Sequence, residues 1–224
     1  MTPSQNIYER ILKLPLFSGM SKNELTQVVT ETKFEFISVV AKKTLIREGD
    51  ACTHIYFLLD GTLHMTTTPD DRRFAVTETV TAPEILQPEY SFGMTQRFNS
   101  TFVAATDCRM LRIRKNDITT LIEHFDVFRI NLINMLAMQS QRQRHHLWRA
   151  TLTDARRKVV RFFETHCYRP AGEKLLTIRM QQIADDIGET RRDVSNELNR
   201  LQDEGLITLS RGQIHIPALE RLLM

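Results

Sequence analysis

The sequence predicts an α+β protein in which a jelly roll of short strands, or β-roll, comes first, a long helix follows, and a helix-turn-helix with a β-hairpin ends the chain. Three observations predict this architecture. Residues 34–113 alternate short β-rich runs with turn signals, residues 116–149 keep a helical period, and residues 178–216 combine two short amphipathic helices with a hairpin. The chain of 224 residues is long enough for two modest cores. We expect domains at 1–115, 116–150 and 151–224.

The composition narrows the class of protein. A net charge of +3 and a pI near 8.8 are too mildly basic to indicate a polyanion partner by themselves. No apolar run approaches the roughly 18 residues of a membrane span, and the N-terminus lacks a signal-peptide core, so we expect a cytoplasmic protein without a membrane partner. The cysteines are far apart and form no C-x-x-C metal pair, which favours buried or free thiols at Cys52, Cys108 and Cys167.

The first part of the chain predicts short helices followed by a β-roll. Residues 7–29 read as helical, with Ser21 three residues before Glu24 in the spacing of a capping box. Glycine-bearing or acidic turns then separate short β-rich runs. The runs cover residues 36–40, 44–46, 54–59, 62–66, 74–79, 102–105 and 110–113. Many short strands at this spacing predict a β-barrel or jelly roll.

The middle of the chain predicts a long helix that pairs with its own copy. Alternating steps of three and four residues relate a series of positions along it, which is the register of a two-stranded helical seam. The series is Ile130, Ile133, Ala137, Ser140, Arg144 and Leu147. We therefore expect a homodimer through residues 127–147. Basic residues are also in local excess between 139 and 161, and we expect some of them to contact nucleic-acid phosphates.

The segment from residue 178 to 216 predicts two helices and a hairpin that share one interior. Ile183 and Ile187 are one helical turn apart, and Gly188 follows them at a turn. A second apolar series then repeats at residues 194, 198 and 201. Thr190 stands at the expected N-cap of the second helix, with Asp193 three residues later. Two β-rich runs at 206–209 and 214–216 complete a winged helix-turn-helix.

The outward face of the second helix carries mostly hydrogen-bond donors. Arginine binds guanine and asparagine binds adenine with paired hydrogen bonds, so such residues near a helix N-terminus suit major-groove reading. A solvated helix face is the alternative explanation for the same residues, but the surrounding turn and hairpin favour DNA. We assign contacts with double-stranded DNA to Thr190, Arg191, Arg192, Ser195, Asn196, Asn199 and Arg211.

At these residues the chain resembles a known family. The run TRRDVSNELNRLQDEGLI resembles the recognition helix and wing of the Crp/Fnr family of bacterial transcription regulators, and LIREGDACTHIYFLLDGTLHM resembles the family's cyclic-nucleotide-binding β-roll. The resemblance implies a non-enzymatic homodimer without metal or cofactor that binds palindromic DNA, answers a small-molecule effector and, if it activates, contacts RNA polymerase. The family usually has Glu and Arg where this chain has Arg192 and Asn196. Its target sequence therefore need not be the family's common one.

The effector pocket departs from the family pattern. Where the family has Gly-Glu-Leu and, about ten residues later, Arg-Ser, this chain has Pro88-Glu89-Tyr90 and Asn99-Ser100. The arginine that neutralises the cyclic phosphate is missing, and its loss removes a charge-assisted contact. We therefore expect an effector other than cyclic AMP. The resemblance implies a pocket that includes Glu89, Asn99, Ser100, Gln143 and Arg144.

Two alternatives stay open from the sequence. A cyclic-nucleotide-responsive regulator of the same fold would use Arg97 or Arg144 to hold the phosphate. A jelly-roll metalloenzyme would need a His-x-His pair and a further ligand on one metal. His54 and His64 instead stand alone in the sequence, as ordinary strand residues do.

Overall fold

The computed structural model describes residues 10–224, apart from the side chains of His146 and Leu147. The chain divides into two compact units, of which the first comprises Met1–Leu63 and Val80–Leu147 and the second comprises His64–Thr79 and Trp148–Met224. The start of the helical segment predicted over 7–29 lies outside the described residues, as does the Leu147 side chain of the predicted seam. None of the helices between residues 10 and 224 combines the length and apolar character needed to cross a bilayer.

Antiparallel strands build the first unit and confirm the predicted β-roll. The strands of the N-terminal half are β1 (Glu35–Val39), β2 (Thr44–Ile46), β3 (His54–Asp60), β4 (Thr62–Thr67), β5 (Ala75–Thr81), β6 (Glu84–Leu86), β7 (Ser100–Ala104) and β8 (Cys108–Arg114). One sheet has the order β1-β8-β3-β6, and β2 pairs with β7. Each predicted strand is present with its ends shifted by at most two residues, and β6 is the strand that the sequence did not predict.

Short and long helices complete the first unit. They are a 3-10 turn at Pro15–Phe17, α1 (Lys22–Glu31), a 3-10 turn at Pro88–Ser91, α2 (Lys115–His124) and α3 (Asp126–Leu147). The predicted capping box starts α1, because Ser21 Oγ accepts from the Glu24 amide at 3.2 Å and Glu24 Oε2 accepts from the Ser21 amide at 2.8 Å. The helical region from 116 to 149 is two helices, separated at the buried Phe125, whose φ of −122° and ψ of 103° are extended.

Aromatic packing anchors the first half of α3 to the first unit. The Phe17 ring lies 5.8 Å from the ring of Phe57 on β3 and 5.2 Å from that of Phe128 on α3. Asn131 of α3 also donates from Nδ2 to the carbonyls of Leu16 and Ser18, at 3.1 and 2.9 Å. In its first half, one face of α3 is therefore fixed in the core, and the opposite face is exposed.

The second unit contains the predicted helix-turn-helix and hairpin. Its C-terminal elements are α4 (Ala155–His166), β9 (Lys174–Thr177), α5 (Met180–Ile187), α6 (Arg191–Asp203), β10 (Thr208–Ser210), β11 (Gln213–Ile216) and a 3-10 turn at Leu219–Leu222. The first wing strand begins later than predicted, because the Leu206 amide donates to the Leu201 carbonyl at 2.9 Å and so ends α6 instead. Strand β9 was not predicted.

A segment from the N-terminal half of the chain completes this second unit. Strands β10, β11, β9 and β5 are neighbours in that order, and β5 pairs antiparallel with β9 from Ala75 opposite Thr177 to Glu78 opposite Lys174. Val76 belongs to the core of the unit, in which the Phe74 ring lies 5.9 Å from that of Phe162. We call residues 64–79 the inserted hairpin. The domain boundaries predicted from the sequence placed it within 1–115.

A buried ion pair joins the inserted hairpin to β9. Lys174 is 0% exposed and Glu78 is 1% exposed, and the Lys174 ammonium lies 2.6 Å from a carboxylate oxygen of Glu78. Glu78 also accepts from the amides of Tyr168 and Arg169, at 2.8 and 3.0 Å, and Lys174 donates to the Ala171 carbonyl at 2.8 Å. Buried charges persist only when they are paired and hydrogen-bonded. This arrangement meets both conditions.

Candidate functional site

The turn between α5 and α6 sets the position of the second helix. Gly188 caps α5 with a φ of +67°, a conformation that glycine adopts without strain. The Thr190 hydroxyl accepts from the Asp193 amide at 3.2 Å and donates to the Asp193 carboxylate at 2.5 Å. Val194 and Leu198 are fully buried in the core of the unit. The helix therefore begins at Arg191 and turns its apolar side inward, as predicted.

The outward side of α6 presents the donors that the sequence indicated. Arg191, Arg192, Asn196 and Asn199 are exposed, and Ser195 is half-buried beside them. Arg200, further along the same face, is held by Glu197 at 2.7 Å. The side chains of α6 that were assigned to DNA therefore lie on one face of the helix. Thr190 instead caps the start of the helix.

A concave surface connects the starts of both helices with the wing. Arg211 lies in the turn between β10 and β11, next to Gly212 with a φ of +73°. Arg179, the N-cap residue of α5, and Arg191 line the same concavity as Arg211. Its described lining includes no carboxylate, so the surface suits phosphate oxygens. Arg179 was not predicted from the sequence, although a basic residue directly before a helix-turn-helix is a signal for such a contact.

Three residues of the basic run between residues 139 and 161 form ion pairs within the protein and are less available to DNA phosphates, while phosphate contacts by the others stay a prediction. Arg149 forms two hydrogen bonds with Glu164, Arg156 pairs with Glu204 and Lys158 pairs with Glu189. The Arg156 hydrogen bonds hold the pKa of the Glu204 carboxyl below its ordinary value. Arg161 donates to the Ala150 carbonyl at 2.6 Å. Glu189 and Glu204 lie far along the chain, so local charge counting did not include them.

In the first unit, side chains from two segments close on each other at the predicted effector pocket. Gln87 is buried, and its Nε2 donates to Asn99 Oδ1 and, at 3.0 Å, to Ser100 Oγ. Asn99 Nδ2 donates to Tyr90 Oη at 2.6 Å. The structure therefore joins Asn99 and Ser100 to Gln87, which the sequence analysis did not single out. We call these four residues the pocket network.

The surroundings of the pocket network disfavour negative charge. Burial raises the pKa of the Cys52 thiol to about 11, and the nearby Glu89 carboxylate adds to this effect. Burial, followed by the same carboxylate, also raises the pKa of Tyr90. Both shifts mean that an anion is less stable here than in water.

The remaining candidates for the effector pocket are Arg97, Gln143 and Arg144. Arg97 donates from Nη1 to the Gly49 carbonyl at 2.7 Å, so its guanidinium is held at that turn. Gln143 and Arg144 are exposed in the last turns of α3, and their place in an effector pocket stays a prediction. Among the His, Cys, Asp and Glu side chains that the structure describes, no three are grouped so that they could share a metal ion.

Comparisons with known proteins match both halves of the chain. The cyclic nucleotide-binding domain family matches residues 36–125, and the Crp-like helix-turn-helix domain family matches residues 157–224. The structure of the Catabolite Activator Protein of Thermus thermophilus is similar with a TM-score of 0.54 at 22% identity, covering 93% of this chain and 96% of that one. The N-terminal domain of a transcriptional regulator from Streptomyces coelicolor A3(2) gives a TM-score of 0.50 at 16% identity, covering 64% and 99%.

A curated relative of a different kind shares part of the sequence. The potassium channel KOR1 of Oryza sativa subsp. japonica is 28% identical over 146 residues, which is 62% of this chain. The match covers 16% of the channel's length. The similarity therefore concerns one segment of that protein.

Proposed function

This chain belongs to the Crp/Fnr family of DNA-binding transcription regulators, and on that premise we propose that it acts in the cytoplasm as a homodimer that reads palindromic DNA through α6. The observation that carries the proposal is the exposed row of donors on α6, continuous with the arginine-lined concavity at Arg179, Arg191 and Arg211. If the protein activates transcription, it contacts RNA polymerase as well.

The two parts of this surface have different roles. Arg192 and Asn196 are one turn apart on the exposed face near the start of α6, where side chains reach base edges. Arg191 is at the first helical position and lines the concavity with Arg179 and Arg211. It contacts phosphate, because the concavity offers several positive groups and a helix N-terminus.

We expect Arg192→Ala to cost about 1–3 kcal/mol of binding and to relax base preference at one position of each half-site. We expect Arg191→Ala to weaken binding to all sequences alike and to reduce the salt slope by about one unit per half-site, since it removes one phosphate contact from each protomer. Binding isotherms on the best site and its single-base variants, at two salt concentrations, measure both effects. Arg109→Ala is the matched control, because Arg109 is an exposed arginine on β8 paired with Asp60.

The dimer forms through the exposed face of α3. Ile130 and Ile133 are 53% and 57% exposed, although they belong to the same helix as the fully buried Phe128. Large exposed apolar residues in a heptad-like register indicate a helical partner, and a second copy supplies the same register. A two-fold dimer presents its reading helices to half-sites roughly 34 Å apart, which is one turn of DNA.

The effector is a small molecule other than a cyclic nucleotide. The pocket network includes Asn99 and Ser100, which the sequence resemblance aligns with the family's phosphate-binding Arg-Ser, and Asn99 is bonded to Gln87 and Tyr90. Arg97, which a cyclic-nucleotide-responsive alternative would use, is bonded to Gly49 instead. At Asn99 a phosphate would therefore meet no guanidinium, and it would break existing hydrogen bonds, each with a net value of about 0.5–1.5 kcal/mol. Arg144, the other arginine of that alternative, is exposed on α3.

We expect calorimetry to show no saturable binding of cyclic AMP or cyclic GMP, even far above cellular concentrations. Asn99→Arg supplies the missing cation and is expected to create weak but measurable affinity for cyclic AMP. Tight binding by the wild-type protein would contradict this assignment. Loss of that binding in Arg97→Ala would then identify Arg97 as the phosphate ligand.

A further inference from the structure

The inserted hairpin adds an arginine to the proposed DNA-binding surface, and we propose that Arg73 contacts the DNA backbone. This inference rests on the proposed function, because it extends the same surface. It adds a contact from the N-terminal half of the chain, outside the helix-turn-helix and its wing. The ligand chemistry is a phosphodiester of the nucleic-acid backbone, not a base edge.

Arg73 lies on the same surface as the arginines of the proposed DNA-binding site. Arg73 lines a concavity together with Arg179, Arg211 and Gly212 of the wing turn. Arg179 and Arg211 also line the neighbouring concavity that contains Arg191. Four arginines therefore follow one another over a continuous surface, although they come from four different segments of the chain. The lining residues of both concavities include no carboxylate.

The backbone of Arg73 is fixed relative to α5. Gln182 in the first turn of α5 donates from Nε2 to the Arg73 carbonyl at 2.8 Å. Two residues later, Ala75 begins the pairing with β9, and the buried pair of Glu78 and Lys174 closes it. Arg73 is thus held by the second unit itself. A fixed backbone limits the positions that the guanidinium can reach, so less freedom is lost on binding than from a mobile segment.

Among the described residues Arg73 forms an ion pair with Asp71, and a phosphate can replace it. Asp71 Oδ2 lies 2.5 Å from Arg73 Nε, and the two side chains are 46% and 64% exposed. Exposed pairs contribute little, because water and salt screen them. A phosphodiester offers a bidentate partner to the guanidinium and releases condensed counterions when it is neutralised. Asp71 moderates the affinity of this site without blocking it.

The test compares Arg73→Gln, Arg73→Lys and Asp71→Asn in binding isotherms at several salt concentrations. Because one phosphate contact is lost in each half-site, we expect Arg73→Gln to lower the affinity about fivefold per half-site at 0.15 M salt and to reduce the salt slope by about 0.9 per half-site, or about 1.8 for the homodimer. The base preference is expected to stay unchanged. Arg73→Lys is expected to keep the slope, since it keeps the charge, and Asp71→Asn is expected to bind at least as tightly as the wild type. Arg109→Gln is the control outside the second unit.

The outcomes separate this inference from the proposed function. If the wild-type protein binds no DNA sequence above background, the proposed function fails and the inference fails with it. If the wild type binds and Arg73→Gln has the same affinity and slope, the inference alone is overturned. An equal loss in Arg73→Gln and Arg73→Lys also overturns it, because a phosphate contact depends on charge. Circular dichroism of each variant checks that the hairpin change leaves the fold intact.

Discussion

Replacing Lys174 with methionine is expected to lower the free energy of unfolding of the second unit by about 3–5 kcal/mol, because the Glu78 carboxylate would stay buried without its ammonium partner. Both side chains are almost completely buried, so water cannot take the place of the lost cation. Urea unfolding followed by circular dichroism measures the loss. Hydrogen exchange at the paired amides of β5 and β9 shows whether the inserted hairpin opens first.

A double-mutant cycle separates the ion pair from the packing of its side chains. In a Glu78→Leu background, Lys174→Met is expected to cost much less than it does alone, since no uncompensated charge is left. Equal costs in both backgrounds would show that the two charges are not coupled. Glu173→Gln is the matched control, because this half-exposed carboxylate, which accepts from Thr79 and bonds His215, lies beside the same strands. Its effect is expected to be within about 1 kcal/mol.

Adding charge to the α3 seam is expected to produce a monomer. In Ile130→Glu/Ile133→Glu, each carboxylate would face its own copy across a two-fold seam, and the like charges would repel. The affinity for a palindromic site is expected to fall about 10²-fold or more, because the second half-site no longer binds intramolecularly. Sedimentation and binding isotherms measure the two effects.

The control for Ile130→Glu/Ile133→Glu is a variant that carries the same added charge on α2. Thr119→Glu/Thr120→Glu places two carboxylates on the exposed side of α2, and it is expected to stay dimeric. Affinity for an isolated half-site is expected to be similar in both variants. A dimeric Ile130→Glu/Ile133→Glu protein would place the interface on another surface.

The sequence predicted elements that depend on neighbouring residues. The start of α6 follows from Thr190 and Asp193, and the strands of the β-roll follow from local alternation and turns. Strand β9 was missed because its buried positions are Lys174 and Leu176, and a lysine hides the apolar alternation. Its counter-charge is Glu78, which is 96 residues away in the chain. No local pattern connects two such residues.

In the candidate sites, too, residues that share a local pattern were predicted, and residues that depend on distant contacts were missed. The donors of α6 were predicted because they share one helix, and periodicity gives their common face. Gln87 was missed because its role follows from a left-handed backbone conformation, with a φ of +42°, and from contacts with residues 99 and 100. Arg73 was missed because strand pairing brings the inserted hairpin to the winged helix. Such pairings between distant segments cannot be read from one sequence.

The place of β9 between β11 and β5 determines which piece of this chain folds autonomously. Cleavage that released residues 148–224 alone would leave β9 paired on one side and would uncover the N–H and C=O groups of its other edge. Open strand edges recruit other chains and promote aggregation. The same cut would strip Lys174 of its counter-ion and remove Val76 from the core. The C-terminal folding unit therefore consists of two separate sequence segments. Proteolysis between them would produce an aggregation-prone fragment instead of an independent domain.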